Sequence, residues 1–276
     1  MRTPLKYFGG DHYQAKTILS YAPPHTHYAE PFFGGGSVLL AKDPTGISET
    51  VNDLNKMLMA FWRTLQIPSE FEQFHRLCDV TPLCEGQFSD AQIEEMLDEA
   101  TLDDSQYRSP WPIIAWRFFI RNRMSRLGLG KDYATPTTRT RRGMNENVSA
   151  WLSAIEGLPE IHQRLRTVEI RSMPALQFIK QYDHENCWMY IDPPYLHETR
   201  TVKKAYKYEM TEGDHTELLG VLSTLRGKFA LAGYPSDLYA KAESDFGWRR
   251  VTVQIDNKAS SKKVKEKVSD CLWLNY

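Results

Sequence analysis

The stretch Cys187-Trp188-Met189-Tyr190-Ile191-Asp192-Pro193-Pro194-Tyr195 constrains the fold of this chain more than any other. Its first residues are apolar and contain no turn-former, which reads as a buried strand. Asp192 interrupts the run, and two consecutive prolines, with no amide hydrogen and a fixed φ, forbid further ladder pairing. The predicted result is a stiff lip at the carboxyl end of a strand, where open α/β sheets bind ligands. Within four residues the lip carries a carboxylate, the Pro193 carbonyl and the face of Tyr195. This set suits a planar amine on a heteroaromatic ring, whose lone pair is delocalised and poorly nucleophilic. Two acceptors aimed at its two hydrogens favour the pyramidal, more reactive nitrogen, and they act mainly in the transition state. Stacking on Tyr195 would contribute ~1–3 kcal/mol, as base–aromatic contacts do in single-strand binders. Taken alone, the tetrapeptide is explained equally well as a strand-to-loop exit stiffened by prolines.

The rest of the composition narrows the class. With 276 residues, 41% of them hydrophobic and 25% charged, the chain can bury one large core or two modest ones and is not a disordered polymer. It holds no 18-residue apolar run, and Met1-Arg2-Thr3-Pro4 lacks the apolar core of a signal peptide, so a soluble, cytoplasmic protein is expected with no membrane partner. Cys78, Cys84, Cys187 and Cys271 form no Cys-x-x-Cys pair, and the eight histidines show no ligand spacing beside them. Reduced thiols and no metal site are therefore expected.

A net charge of −1 argues against a general polyanion binder but hides a segregation. Residues 84–107 hold eight acids (Glu85, Asp90, Glu94, Glu95, Asp98, Glu99, Asp103, Asp104) and no Lys or Arg. Residues 117–142 hold eight bases (Arg117, Arg121, Arg123, Arg126, Lys131, Arg139, Arg141, Arg142) against the single acid Asp132. A second basic run, Lys258, Lys262, Lys263, Lys265 and Lys267, lies near the end. The acidic run reads as a solvated helix face, the basic one as a surface that meets phosphate.

Along the chain, Leu5-Lys6-Tyr7-Phe8-Gly9-Gly10 leads into an amphipathic helix, and the paired glycines allow close backbone approach to a ligand. A short strand, residues 27–30, meets Pro31-Phe32-Phe33-Gly34-Gly35-Gly36-Ser37 and then a helix. Strand, glycine turn and helix N-terminus form a nucleotide-type cradle. No Lys-Ser/Thr follows the glycines and no Gly-x-Gly-x-x-Gly is present, which disfavours a P-loop and a dinucleotide. A second strand, residues 46–51, ends in Asn52-Asp53 before a helix at 54–65. Asp53 reads either as the helix cap or as a carboxylate for ribose hydroxyls. From 68 to 166 helical patterns dominate (71–78, 91–100, 111–126), followed by a long Gly-, Thr- and Arg-rich loop at 127–147 suited to a nucleic-acid groove. Strand–helix alternation then resumes to the end. The organisation expected is α/β, with one domain made of 1–66 and 167–276 and a mainly helical insert at 67–166.

Five segments in order carry a resemblance. They are Leu5-Lys6-Tyr7-Phe8-Gly9-Gly10, Glu30-Pro31-Phe32-Phe33-Gly34-Gly35-Gly36-Ser37-Val38, Asn52-Asp53-Leu54-Asn55, Asp192-Pro193-Pro194-Tyr195 and Leu272-Trp273-Leu274-Asn275-Tyr276. With them the chain resembles the Dam-type family of DNA adenine methyltransferases. The resemblance implies a Rossmann-like class I methyltransferase sheet with an inserted target-recognition domain, in a bacterial or phage-infected cell. It implies S-adenosylmethionine as donor, with Tyr7, Gly9, Gly10, Glu30, Pro31, Phe32, Gly34, Gly36, Ser37, Asp53 and Asp192 around it. Asp192, Pro193, Pro194 and Tyr195 would hold the 6-amino group of an adenine flipped out of double-stranded DNA, costing a few kcal/mol of stacking and pairing. Transfer would be one in-line displacement, driven by positioning and needing neither metal nor catalytic Cys. Lys6, Arg123, Arg126, Lys131, Arg139, Arg141 and Arg142 would contact DNA, with the protein a monomer or weak dimer. Two departures stand out: Asp11 where family members often carry Lys, and Ser172-Met173 where an acid often follows the strand. Another acceptor (cytosine 4-amino or RNA) and a DNA-binding relative without catalysis are the alternatives.

Overall fold

The computed structural model describes residues 1–6, 14–93, 111–199, 208–254 and 269–276. Tyr7, Gly9, Gly10 and Asp11, most of the acidic run and the basic run at 258–267 lie outside the described residues. The elements are α1 (Ala15–Ser20), β1 (His27–Glu30), α2 (Ser37–Ala41), β2 (Ser48–Asn52), α3 (Lys56–Gln66), α4 (Pro68–Asp79), α5 (Glu85–Ile93) and α6 (Trp111–Met124). They continue with β3 (Thr140–Arg141), β4 (Met144–Asn145), α7 (Glu146–Glu156), α8 (Leu158–Leu165), β5 (Val168–Arg171), α9 (Ala175–Tyr182) and β6 (Cys187–Ile191). The last are α10 (Glu212–Leu222), β7 (Lys228–Gly233), α11 (Asp237–Phe246), β8 (Arg249–Gln254) and β9 (Ser269–Leu274). The α/β class expected from the sequence is the one observed.

The chain divides into two compact units, one of Met1–His12, Gly34–Lys42 and Asn55–Ser172, the other of Tyr13–Phe33, Asp43–Leu54 and Met173–Tyr276. Within the second unit the sheet order is β2-β1-β6-β7-β9-β8. Neighbours from β2 to β7 are parallel, while β9 runs antiparallel to both β7 and β8. All five residues of β6 are buried, as are all but the first of β7. Strands covered on both faces read as continuous apolar runs, which is how the sequence reads at both places. Phe178, Ile179, Leu218, Leu222, Phe229 and Trp273 pack on this sheet in a single core. Because the strands from β2 to β7 point the same way, their carboxyl ends share one edge.

The first unit is mainly helical. Phe61 on α3 stacks on Phe119 of α6 at 5.8 Å and meets Phe74 of α4 edge-on at 5.8 Å. Trp151 on α7 is buried and donates its indole N–H to the Thr81 carbonyl at 2.9 Å. Two local expectations differ from what forms. The loop predicted over 127–147 contains a hairpin, β3 and β4, whose two-residue turn has Arg142 at φ 55° and Gly143 at φ 75°. A pair of left-handed residues twists as the flanking strands do, so the chain closes tightly there. The cap of α3 is Asn55, whose side chain accepts from Leu58 N at 3.3 Å. The cap stands two residues after Asp53 and the helix begins at Lys56, which leaves that carboxylate outside the capping position.

Candidate active site

In the second unit the shared carboxyl edge of β2, β1, β6 and β7 collects Asp53, Glu30, Asp192 and Tyr234, each at or just past the end of its strand. Asp192 follows Ile191 directly and is half-buried; Pro193 behind it is buried and Tyr195 half-exposed. Tyr234, one residue beyond β7, meets the Tyr195 ring edge-on with centroids 4.8 Å apart. Two aromatic rings at this angle form a corner rather than a flat stack, and a planar guest can lie on one face while the other ring bounds its edge.

The lip is held from behind. His215 is fully buried and its Nε2 lies 3.0 Å from the Pro194 carbonyl oxygen, while Nδ1 lies 3.0 Å from the Tyr239 hydroxyl. A carbonyl oxygen only accepts, so Nε2 carries the proton; in the neutral ring Nδ1 then accepts from the Tyr239 O–H. Both partners are placed by helix starts. Thr211 and Asp214 form a capping box at the head of α10, and His215 follows in the first turn. Ser236 caps α11 by accepting from Tyr239 N at 3.3 Å. Burial, and secondarily the negative charge of Asp192, pushes the Tyr239 phenol well above its ordinary range, so it stays a donor. Glycine at 233 makes room for this packing: a Cβ there would stand 3.3 Å from both the Trp273 and Tyr239 rings.

On the β1 side of the same edge, Glu30 is 2% exposed and accepts from the Tyr28 hydroxyl at 2.6 Å, while Phe32 is half-buried. Asn52, fully buried, donates to Pro31 O and Met173 O, both at 3.0 Å, and accepts from Met173 N at 2.9 Å. It thereby clamps the exit of β1 to the chain entering α9, and gives Met173 a backbone role at the position where an acid was expected.

The first unit carries the other sequence-derived candidates. Gly34 and Gly36 adopt φ 48° and 68°, which a side chain would resist. Their turn is pinned by Trp62 Nε1 donating to Gly34 O at 3.0 Å and by Thr3 Oγ1 donating to Gly35 O at 2.7 Å. Ser37 opens α2 with a buried hydroxyl that has no hydrogen-bond partner among the described residues. Lys6 Nζ donates to Arg123 O at 2.6 Å, and both side chains line a cleft with Asn147 and Trp151. Burial, then the Arg123 charge, lowers Lys6 to about 8, and burial lowers Arg123 to about 10. No acid lines that cleft among the described residues. The Lys6 backbone is docked by Asn122 and by Gly128, where an added Cβ would stand 1.6 Å from Lys6 O.

Arg126, Lys131, Arg139 and Arg141 are exposed. Arg142 is exposed too but is engaged in a two-pronged pair with Glu156, both N···O distances being 3.0 Å, and donates to Ser153 Oγ at 2.7 Å. Arg121, by contrast, is buried and donates to Ala91 O at 2.8 Å. His215, Tyr239 and Tyr234 are not singled out in the sequence, and Asn52 appears there only within the Asn52–Asn55 segment, with no role of its own. Only Tyr234, directly after a strand and a glycine, carried a local signal.

A family model described as D12 class N6 adenine-specific DNA methyltransferase matches residues 7–257. Among solved structures, the rRNA methyltransferase aviRa from Streptomyces viridochromogenes is similar over 98% of this chain and 86% of its own, with a TM-score of 0.35 and 11% identity. A likeness of that size says nothing about substrate. No curated protein matches in sequence.

Proposed function

Because the chain belongs to the D12 class of N6 adenine-specific DNA methyltransferases, we propose that Asp192 and the Pro193 carbonyl accept the two hydrogens of the adenine 6-amino group. S-adenosylmethionine, the donor used by this class, supplies an electrophilic methyl when bound. The observation that carries the assignment is the strand-end lip Asp192–Tyr195, bounded by Tyr234 and held through Pro194 by His215.

In this reading the Asp192 carboxylate pulls the amine toward a tetrahedral nitrogen as positive charge develops on it. The rigid prolines fix the acceptors beforehand, so little reorganisation is needed at the transition state. Tyr195 and Tyr234 hold the flipped purine, replacing part of the stacking it leaves behind in a DNA duplex.

The donor fits the residues present. Asp53 is a half-buried carboxylate at the end of β2, suited to ribose hydroxyls, and Phe32 offers an apolar face at the end of β1. Separately, the Gly34–Gly36 turn and the Ser37 hydroxyl, buried and without a partner among the described residues, have the open backbone and the donor that a polar ligand group would satisfy. Glu30 and Pro31 act indirectly, by fixing the β1 exit.

For DNA, Arg126, Lys131, Arg139 and Arg141 offer exposed charge to phosphate, and the half-buried Lys6, whose ammonium is opposed by burial and by the Arg123 charge, would be favoured in its charged form by a phosphate brought near it. Residues 67–166 would serve as the target-recognition insert, in a protein acting on double-stranded DNA as a monomer or weak dimer in a bacterial or phage-infected cell. Among the described residues no helix is long and apolar enough to cross a membrane.

Asp192→Ala tests the assignment. Methyl transfer to adenine-containing duplexes should be abolished while donor binding stays measurable by calorimetry. Substantial transfer by that variant would remove Asp192 from the chemistry.

A further inference from the structure

At the amino-terminal edge of the second unit's sheet, three side chains of metal-ligating type converge. His27 opens β1 and Cys187 opens β6, and the parallel register pairs them with each other. Side chains of paired positions project to the same face of a sheet, which brings imidazole and thiol together although sequence spacing gives no hint of it. His184 joins from the turn before β6, where Cys187 N donates to His184 O at 2.9 Å. One ligand atom from each of the three residues lies within 4.8 Å of the other two. The His27 and His184 rings stand 5.3 Å apart, tilted at 45°, and His27 also stacks on Tyr182 at 5.7 Å, which steadies its plane. Asp183, next to His184, is already engaged by the backbone N–H groups of Arg226 and Gly227 at 3.0 and 2.8 Å.

We propose that His27, His184 and Cys187 form a site for one zinc-type divalent cation, with the fourth position left to water. Two imidazoles and a sulfur are a donor set for a borderline-soft ion and a poor one for magnesium or calcium. Tetrahedral zinc, with bonds of ~2.0–2.3 Å, would bring its donors to roughly 3.3–3.7 Å of one another, so the trio closes by about 1 Å on binding. His184, in a turn open to solvent, is placed to make that movement and to admit the ion. Binding releases the thiol proton, which is why a thiophilic metal is required.

The site is distinct from the lip. Five residues of extended chain separate Cys187 from Asp192, about 16 Å at ~3.3 Å per residue. The cation would pin the starts of two neighbouring central strands and stabilise the unit by mass action, independently of the transfer reaction assigned above.

The test uses the full chain, stripped with a chelator and then given zinc or cobalt(II). About one equivalent of zinc should remain after desalting, and cobalt should produce a thiolate charge-transfer band in the near ultraviolet with strong visible bands of tetrahedral geometry. Zinc should raise the melting temperature. His184→Ala, at an open position, should fold and lose zinc retention and the visible bands; Cys187→Ser should lose the charge-transfer band. Absence of that band in the unaltered protein, or zinc retention unchanged in His184→Ala, overturns the proposal. Should Cys187→Ser fail to fold, the His184→Ala comparison decides alone.

Discussion

His215 Nε2 stands 3.0 Å from the carbonyl oxygen of Pro194, so a buried imidazole on a helix holds the second proline of the lip. The same ring is oriented by the Tyr239 hydroxyl at 3.0 Å. The chain Tyr239–His215–Pro194 therefore ends one residue from the carbonyl of Pro193, the acceptor proposed above. In the function proposed above, His215 and Tyr239 would act as positioning residues, through the backbone of the lip.

Removing only the far end of that chain should slow transfer modestly. Tyr239→Phe deletes one hydrogen bond with a net worth of ~0.5–1.5 kcal/mol, a predicted fall of about 3- to 10-fold in kcat. KM for the donor should hardly change. His215→Gln, which keeps an N–H for the carbonyl, should retain more kcat than His215→Ala. An unchanged kcat in Tyr239→Phe, with normal stability, would assign the chain a purely structural role.

The aromatic corner gives a second prediction. Tyr234→Ala removes the ring that bounds Tyr195 at 4.8 Å and should weaken capture of the flipped base by ~1–3 kcal/mol, or roughly 5- to 150-fold. Duplexes with 2-aminopurine at the target position should lose most of their enzyme-induced fluorescence. Equal fluorescence in the variant would mean the base is held elsewhere.

Lys6 supplies a pH dependence. Folded, it releases its proton near pH 8, against 10.5 for an ordinary lysine, because burial and Arg123 oppose its charge. Between those values the unfolded chain binds more protons, so Lys6 contributes stability that rises with pH across this window. Denaturant midpoints from pH 7.5 to 10 should therefore climb more, or fall less, in the natural protein than in Lys6→Met. DNA affinity should move the other way, falling above pH 8 as the ammonium charge is lost. Parallel stability profiles in the two proteins would contradict this.

Arginines of the hairpin should not be equivalent. Arg139 and Arg141 are exposed, whereas Arg142 is paired with Glu156. Neutralising Arg139 and Arg141 together should flatten the salt dependence of DNA binding by ~0.9 log units for each phosphate they would otherwise neutralise. Arg142→Ala should change the slope little. A larger effect from Arg142 than from the other two would mean that the Glu156 pair opens on DNA.

Much of this molecule follows from local sequence. The strand at 187–191 and its stop at Asp192 come from an apolar run ended by prolines, and β7 at 228–233 from another bounded by glycines. Such signals are legible because backbone dihedrals and double-sided burial are set within a few residues. The five motif segments pointed to the family, and with it to the reaction class, since the groups proposed to act in the Asp-Pro-Pro-Tyr lip are consecutive residues. Local signals fail where a choice depends on a distant partner. Asp53 and Asn55 are both good caps, and only the helix start decided for Asn55.

Tertiary structure alone decided the rest. Strand order put β1 between β2 and β6, and so collected Glu30, Asp53 and Asp192 on one edge and His27 with Cys187 on the other. It turned Arg121 and Arg123, indistinguishable by charge from Arg139, into groups committed to the carbonyls of Ala91 and Ala150. It also gave His215 its place behind Pro194. The reason is physical: hydrogen-bonded strands and packed helices bring together residues far apart in the chain, through backbone pairing and apolar burial that carry no mark at the positions they join.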